Sequence, residues 1–112
     1  MLKKVTLLIP LTFNDGSAVP LGTLDQIEND IYGAFNGWTV VGEVVGAFKR
    51  ITGEKTVDRS LQVWVVVDEA VLPAMRQMVA EFAALLKQDA MYFEVADHHV
   101  EFIPAPRAGE QS

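Results

Sequence analysis

Residues 38–67 read WTVVGEVVGAFKRITGEKTVDRSLQVWVVV, and the fold turns on how this stretch is read. Trp38 to Ile51 is rich in valine and aromatic residues and holds no proline, which predicts a strand. Thr52-Gly53-Glu54-Lys55 is a turn, Leu61 to Val67 is a second strand, and the pair is expected as an antiparallel hairpin. A turn this short cannot carry the crossover that joins parallel strands, so a doubly wound parallel sheet is disfavoured. Gly42 and Gly46 weaken the first strand and are expected to mark a bulge or a close approach.

On the N-terminal side, Val5, Leu7 and Ile9 alternate with Lys4, Thr6 and Leu8, as in a strand with one buried face. Lys3-Lys4 ahead of this apolar run also has the look of a signal-peptide start. The run is short, and Pro10, Asn14 and Asp15 follow closely, so a first strand explains it better. Asn14-Asp15-Gly16 is a turn signal in a long connection reaching to Gly22. Thr23-Leu24-Asp25-Gln26 has the capping-box form, and Leu24, Ile27, Ile31 and Phe35 recur at helical spacing. Asn36-Gly37 supplies a left-handed stop, which places the first helix at about residues 23–35.

On the C-terminal side, Leu72, Met75, Met78, Val79, Phe82, Leu85 and Leu86 form a second helical stripe within residues 68–88, with Pro73 expected in its first turn. Residues 90–103 are either one bent strand or two strands joined around Ala96-Asp97-His98-His99. The order strand-helix-strand, strand-helix-strand predicts an α+β domain with the ferredoxin-like β-α-β-β-α-β plan. Two helices would cover one face of an antiparallel sheet, with room for a short fifth strand near Val100. Residues 1–103 are expected to form one domain and 104–112 a mobile C-terminal tail.

The pieces Asn14-Asp15-Gly16, Phe35-Asn36-Gly37-Trp38-Thr39-Val40, Phe48-Lys49-Arg50, Asp58-Arg59-Ser60 and Gln88-Asp89-Ala90-Met91, with Gly42, Gly46 and Gly53, resemble a family of small bacterial ferredoxin-like domains of unknown function. The resemblance spans most of residues 14–95 and implies a fold but no established activity.

Composition limits what such a domain does. The 112 residues are 50% apolar and 21% charged, enough to bury about 65% of the unfolded surface without staples. Fifteen acidic against nine basic residues leave a net charge of −6, and the bases are dispersed, which disfavours nucleic acid. There is no cysteine, so thiol chemistry is excluded, and no apolar run reaches the roughly 18 residues that span a bilayer. The expectation is a soluble, cytoplasmic protein.

Few residues suggest chemistry. His98-His99 lies among Glu94, Asp97 and Glu101, and in an extended segment His99 and Glu101 share a side. A zinc site needs three or four converging ligands, so no metal is expected, and no cofactor. Glu43 sits between valines within a strand and is a carboxylate candidate if buried. Asp58-Arg59, across the hairpin from Lys49-Arg50, reads as cross-strand ion pairing on a solvated face. Trp38, Phe48, Met75, Met78 and Phe82 are assigned to the core.

The less ordinary feature is the second sheet face. If Leu61, Val63, Val65 and Val67 face the helices, Gln62, Trp64 and Val66 face away, joined by Leu8, Val41, Val45 and Tyr92. An apolar open face predicts a covering partner, most simply a second copy in a homodimer. The function expected is therefore a non-catalytic association module. The alternative is a small cofactor-free enzyme or ligand binder of the dimeric α+β barrel type, using Glu43 and His98 or His99.

Overall fold

A computed structural model describes residues 1–97 and 99–106. His98 and residues 107–112, and with them one histidine of the pair and most of the expected tail, lie outside the described residues.

The chain runs β1 (Leu2–Pro10), α1 (Leu21–Phe35), β2 (Thr39–Lys49), β3 (Lys55–Asp68), a single 3-10 turn (Glu69–Val71), α2 (Leu72–Leu85) and β4 (Phe93–Ala96). The strands form one antiparallel sheet in the order β2-β3-β1-β4, which is the ferredoxin-like arrangement expected from the sequence. Register is fixed by burial on one face. Val5 pairs with Val65 and Leu7 with Val63, and all four are at most 2% exposed. A one-residue slip would turn this set to solvent. Ile27 and Ile31 of α1, and Met75, Val79 and Phe82 of α2, close the core from the helical side. Each fully buried aliphatic side chain contributes about 1.5–3 kcal/mol relative to exposure.

The helix ends differ in part from expectation. α1 begins at Leu21, not Thr23: Pro20, extended at φ −57° and ψ 141°, is the N-cap, and its carbonyl accepts from the Thr23 and Leu24 N–H groups. Thr23 therefore falls inside the first turn, and no side-chain cap forms. Asn36 stops the helix as expected, at φ 64° with its N–H on the Tyr32 carbonyl. Asp68 caps the 3-10 turn through Ala70 N–H at 2.9 Å, and Pro73 lies in the first turn of α2. At the far end of α2, Gln88 N–H bonds the Ala83 carbonyl and Lys87 N–H the Ala84 carbonyl. This is a Schellman closure in which Lys87, at φ 56°, holds the position usually taken by glycine.

Beyond β4 no fifth strand forms among the described residues 99–106. Val100 is half-buried, but Phe102 and Ile103 are 72% and 80% exposed, with no strand edge beside them. β4 itself pairs over only four residues, from Phe93 to Ala96.

Candidate functional site

A cleft of about 320 Å³ opens where β3, the end of β2 and the segment after α2 converge. Its floor comes from the face of the sheet turned away from the helices: Leu8 and Pro10 of β1, and Thr56, Asp58 and Ser60 of β3. Phe48, Lys49 and Arg50 form one wall, and Gln88 to Tyr92 form the other. Asn14 approaches from the β1–α1 connection, and its side-chain amide donates to the Lys87 carbonyl at 3.1 Å. The volume lies at the lower end of the range for small-molecule sites.

The walls are tied together above the floor. Arg50 Nε and Ile51 N–H donate to Asp89 Oδ2 at 3.4 and 3.3 Å, joining the hairpin turn to the segment after α2. The Arg50 guanidinium, followed by the Ile51 amide, holds the Asp89 carboxyl below its usual range.

Asp58 is the unusual residue. It is only 7% exposed, and its Oδ1 is buried with no hydrogen-bond partner among the described residues. Burial pushes its carboxyl above the ordinary carboxylate range. Phe48 lines the same cleft, and its ring folds back over Gly46, the residue paired with Asp58. A Cβ at Gly46 would lie 2.9 Å from Phe48 Cε2, so the ring can rest there only above a glycine. Phe48 is thus 48% exposed at the cleft and not in the core, a correction to the sequence reading. Asp58 is likewise not half of a cross-strand ion pair. Alternation along β3 turns Arg59 to the opposite face, where it pairs with Glu43, and leaves Asp58 without an ion-pair partner among the described residues.

The residues favoured by the sequence reading lie elsewhere. Glu43 is exposed and neutralised by Arg59, well removed in character from a buried catalytic carboxylate. His99 Nε2 meets Glu101 at 3.3 Å, so the two share a side as expected, but both are largely exposed. Among the described residues no three His, Cys, Asp or Glu side chains converge as metal ligands. Asn14-Asp15-Gly16 is a turn whose Asp15 carboxyl accepts from the Ser17 hydroxyl and N–H, which lower its pKa.

The second sheet face carries Leu8, Trp64, Val66 and Tyr92, as the alternation predicts. Val45 is not among them. A bulge between Val40 and Gly42, with Gly42 at φ 152°, shifts the parity of β2. From there onward Gly42, Val44, Gly46 and Phe48 lie on the open face, while Val45 pairs with Arg59 on the face shared with the helices. Val41 is the extra residue of the bulge. Trp64 is half-buried, with Lys4 Nζ 4.9 Å from its ring centroid. The more exposed apolar set is on the hairpin: Val41, Val45 and Val57 are 57%, 71% and 62% exposed.

Sequence reasoning missed Asp58 because its neighbour Arg59 invited a pairing. The available signal was the polar series Thr56, Asp58, Ser60, Gln62 at alternate positions of a valine-rich strand, with Gly46 opposite. The fragments of the family resemblance also gather here: Asn14, Phe48 to Arg50, Asp58, Ser60 and Gln88 to Met91 all line one cleft.

By fold the chain is a ferredoxin-like α+β domain. No protein-family model and no curated protein matches it. Among solved structures it is similar to a phage SAM lyase in complex with S-methyl-5'-thioadenosine, at 13% identity and TM-score 0.66, covering 85% of this chain and 80% of that one. It is similar also to the divalent cation tolerance protein CutA1 from Thermus thermophilus, at 14% identity and TM-score 0.64, covering 91% and 88%. At these identities the likeness is one of fold.

Proposed function

We propose that this domain is a small-molecule binder whose ligand occupies the cleft floored by Asp58. The observation that carries the reading is a buried carboxyl oxygen without a partner among the described residues, set in a cleft between two half-exposed rings, Phe48 and Tyr92. A buried polar group left unsatisfied costs about 1–3 kcal/mol, a cost that a ligand donor would remove. The rings offer faces on which a planar heterocycle stacks. The solved SAM lyase holds S-methyl-5'-thioadenosine on a similar fold, which makes a nucleoside the first ligand to try.

The test is a two-dimensional NMR titration of the protein with S-methyl-5'-thioadenosine and adenosine. Shifts are expected at Phe48, Asp58, Ser60 and Met91, with Tyr92→Ala weakening the response. Perturbations confined to other surfaces would refute the cleft as the site.

A second reading concerns assembly and rests on the exposed valines of the hairpin. Val41, Val45 and Val57 lack the cover that Val63 and Val65 have. The proposal is a cytoplasmic homo-oligomer, most simply a twofold dimer, joined through this ribbon, with no nucleic-acid partner. The association expected from the sequence is retained, and its centre moves from Trp64 to the valines.

A further inference from the structure

The chemistry of the cleft narrows the class of ligand, and the argument rests on the cleft being the binding site. Three charged groups line it besides Asp58: Lys49 and Arg50 from the end of β2 and its turn, and Asp89 from the segment after α2. Tyr92, on the same segment, is its other titratable group among the described residues. Arg50 is engaged by Asp89, and Lys49 is exposed at the rim. Among the described residues Asp58 on the floor therefore has no countercharge of its own. An anionic ligand entering this cleft would be brought against an unpaired carboxyl. A metal ion would find too few ligands among the described residues. The missing group is a strong donor, and a cationic one answers both the charge and the hydrogen bond.

We propose that the cleft selects a ligand carrying a cationic nitrogen, seated on Asp58 Oδ1, with an aromatic ring or apolar body against Phe48, Leu8 and Tyr92. The rings serve twice. Their faces attract the cation as well as the apolar body, and their bulk keeps water from the carboxyl. Ser60, 5% exposed and next along the same face of β3, offers its hydroxyl to a neighbouring polar atom of the ligand.

The probe pair is 5'-amino-5'-deoxyadenosine and adenosine, which differ in one charged nitrogen. Calorimetric titration at about pH 7 is expected to find the amine bound about tenfold more tightly, the size of one added charge-assisted hydrogen bond. Because burial makes Asp58 hold its proton to higher pH than an ordinary carboxyl, amine affinity should rise with pH as Asp58 ionises, and adenosine affinity should not follow it. Asp58→Asn should abolish the preference, bringing the affinity of the amine down to that of adenosine. Equal affinities for the two nucleosides, with no pH trend in the unaltered protein, would overturn the cation and leave the cleft standing. Binding of neither nucleoside, with no shift at Phe48 or Tyr92, would overturn both.

Discussion

Asp58→Asn is the perturbation that best separates a structural carboxyl from one held in readiness. In the folded protein Oδ1 is buried without a partner, and burial is what raises the pKa. In the unfolded chain the same carboxyl ionises near its ordinary value, about 3.9. The folded state therefore binds the proton more tightly, and this contribution to stability is fully present below that pH. It is lost as pH rises through the higher folded value, after which a constant penalty remains. The amide of asparagine has nearly the same shape and no charge to desolvate. The penalty for a buried unsatisfied group bounds the gain at about 1–3 kcal/mol, and the amide's own polar atoms keep it toward the lower end. For a domain of this size 1 kcal/mol corresponds to about 4–8 °C in melting temperature. Urea unfolding over a pH range that starts below the unfolded value should show the two curves together at the acid end. They should diverge as Asp58 ionises, with the asparagine variant more stable at neutral pH. The comparison cancels Asp15, Asp68 and Asp89, whose lowered pKa values act in the opposite sense. Parallel curves across the range, or an asparagine variant less stable at neutral pH, would show that Asp58 is satisfied after all and remove the basis of the cleft reading.

Other consequences are open to measurement. Gly46→Ala places a methyl 2.9 Å from the Phe48 ring and should displace it, so that the Asp58 pKa, followed by carbon-13 NMR, falls toward the ordinary value; an unchanged titration would mean that Phe48 does not shield the carboxyl. Lys87→Gly relieves a left-handed residue in the Schellman closure and should stabilise the protein by about 0.5–1 kcal/mol in urea unfolding, against no gain if the position is unstrained. Light scattering should report a monomer for Val45→Glu and an unchanged oligomer for Trp64→Glu, and the reverse pattern would return the interface to the open sheet face. Leu7→Ala, at a fully buried position of a central strand, should cost about 2–5 kcal/mol, and a loss below about 1 kcal/mol would mean that the core has been misplaced.

Much of the fold was legible because burial leaves a period in the sequence. Val5, Leu7 and Ile9, Val63 to Val67, and the stripe from Leu72 to Leu86 each mark one buried face, and each forms the element its period predicts. The hairpin was legible from Gly53 and the turn around it, and the left-handed stop from Asn36. What escaped depends on geometry that periodicity does not carry. A capping box at Thr23 is a local preference, and Pro20 overrides it by starting the helix earlier. The face of Val45 depends on one bulged residue, invisible in an alternation count apart from the nearby glycine. The cleft was least legible of all. Its walls come from Asn14, Phe48 and Met91, brought together only by folding, and its floor is an aspartate whose sequence neighbour offered a simpler explanation.

The bulge at Val41 has a consequence for descent. A β-ribbon carries two interleaved messages, one addressed to each of its surfaces, and both are written in alternate residues of a single text. An extra residue at this point exchanges the addressees for everything downstream: Val44 and Gly46 are delivered to the open face with Ser60 and Asp58, and Val45 to the opposite side with Arg59. Substitutions edit one message at a time, whereas loss of that single residue would misdirect both together. Gly46 and Phe48 would then leave that face, and the cleft would lose its Phe48 wall without any change to Asp58 itself. Among relatives of this chain, length in this segment should accordingly be guarded more closely than the identity of Val41.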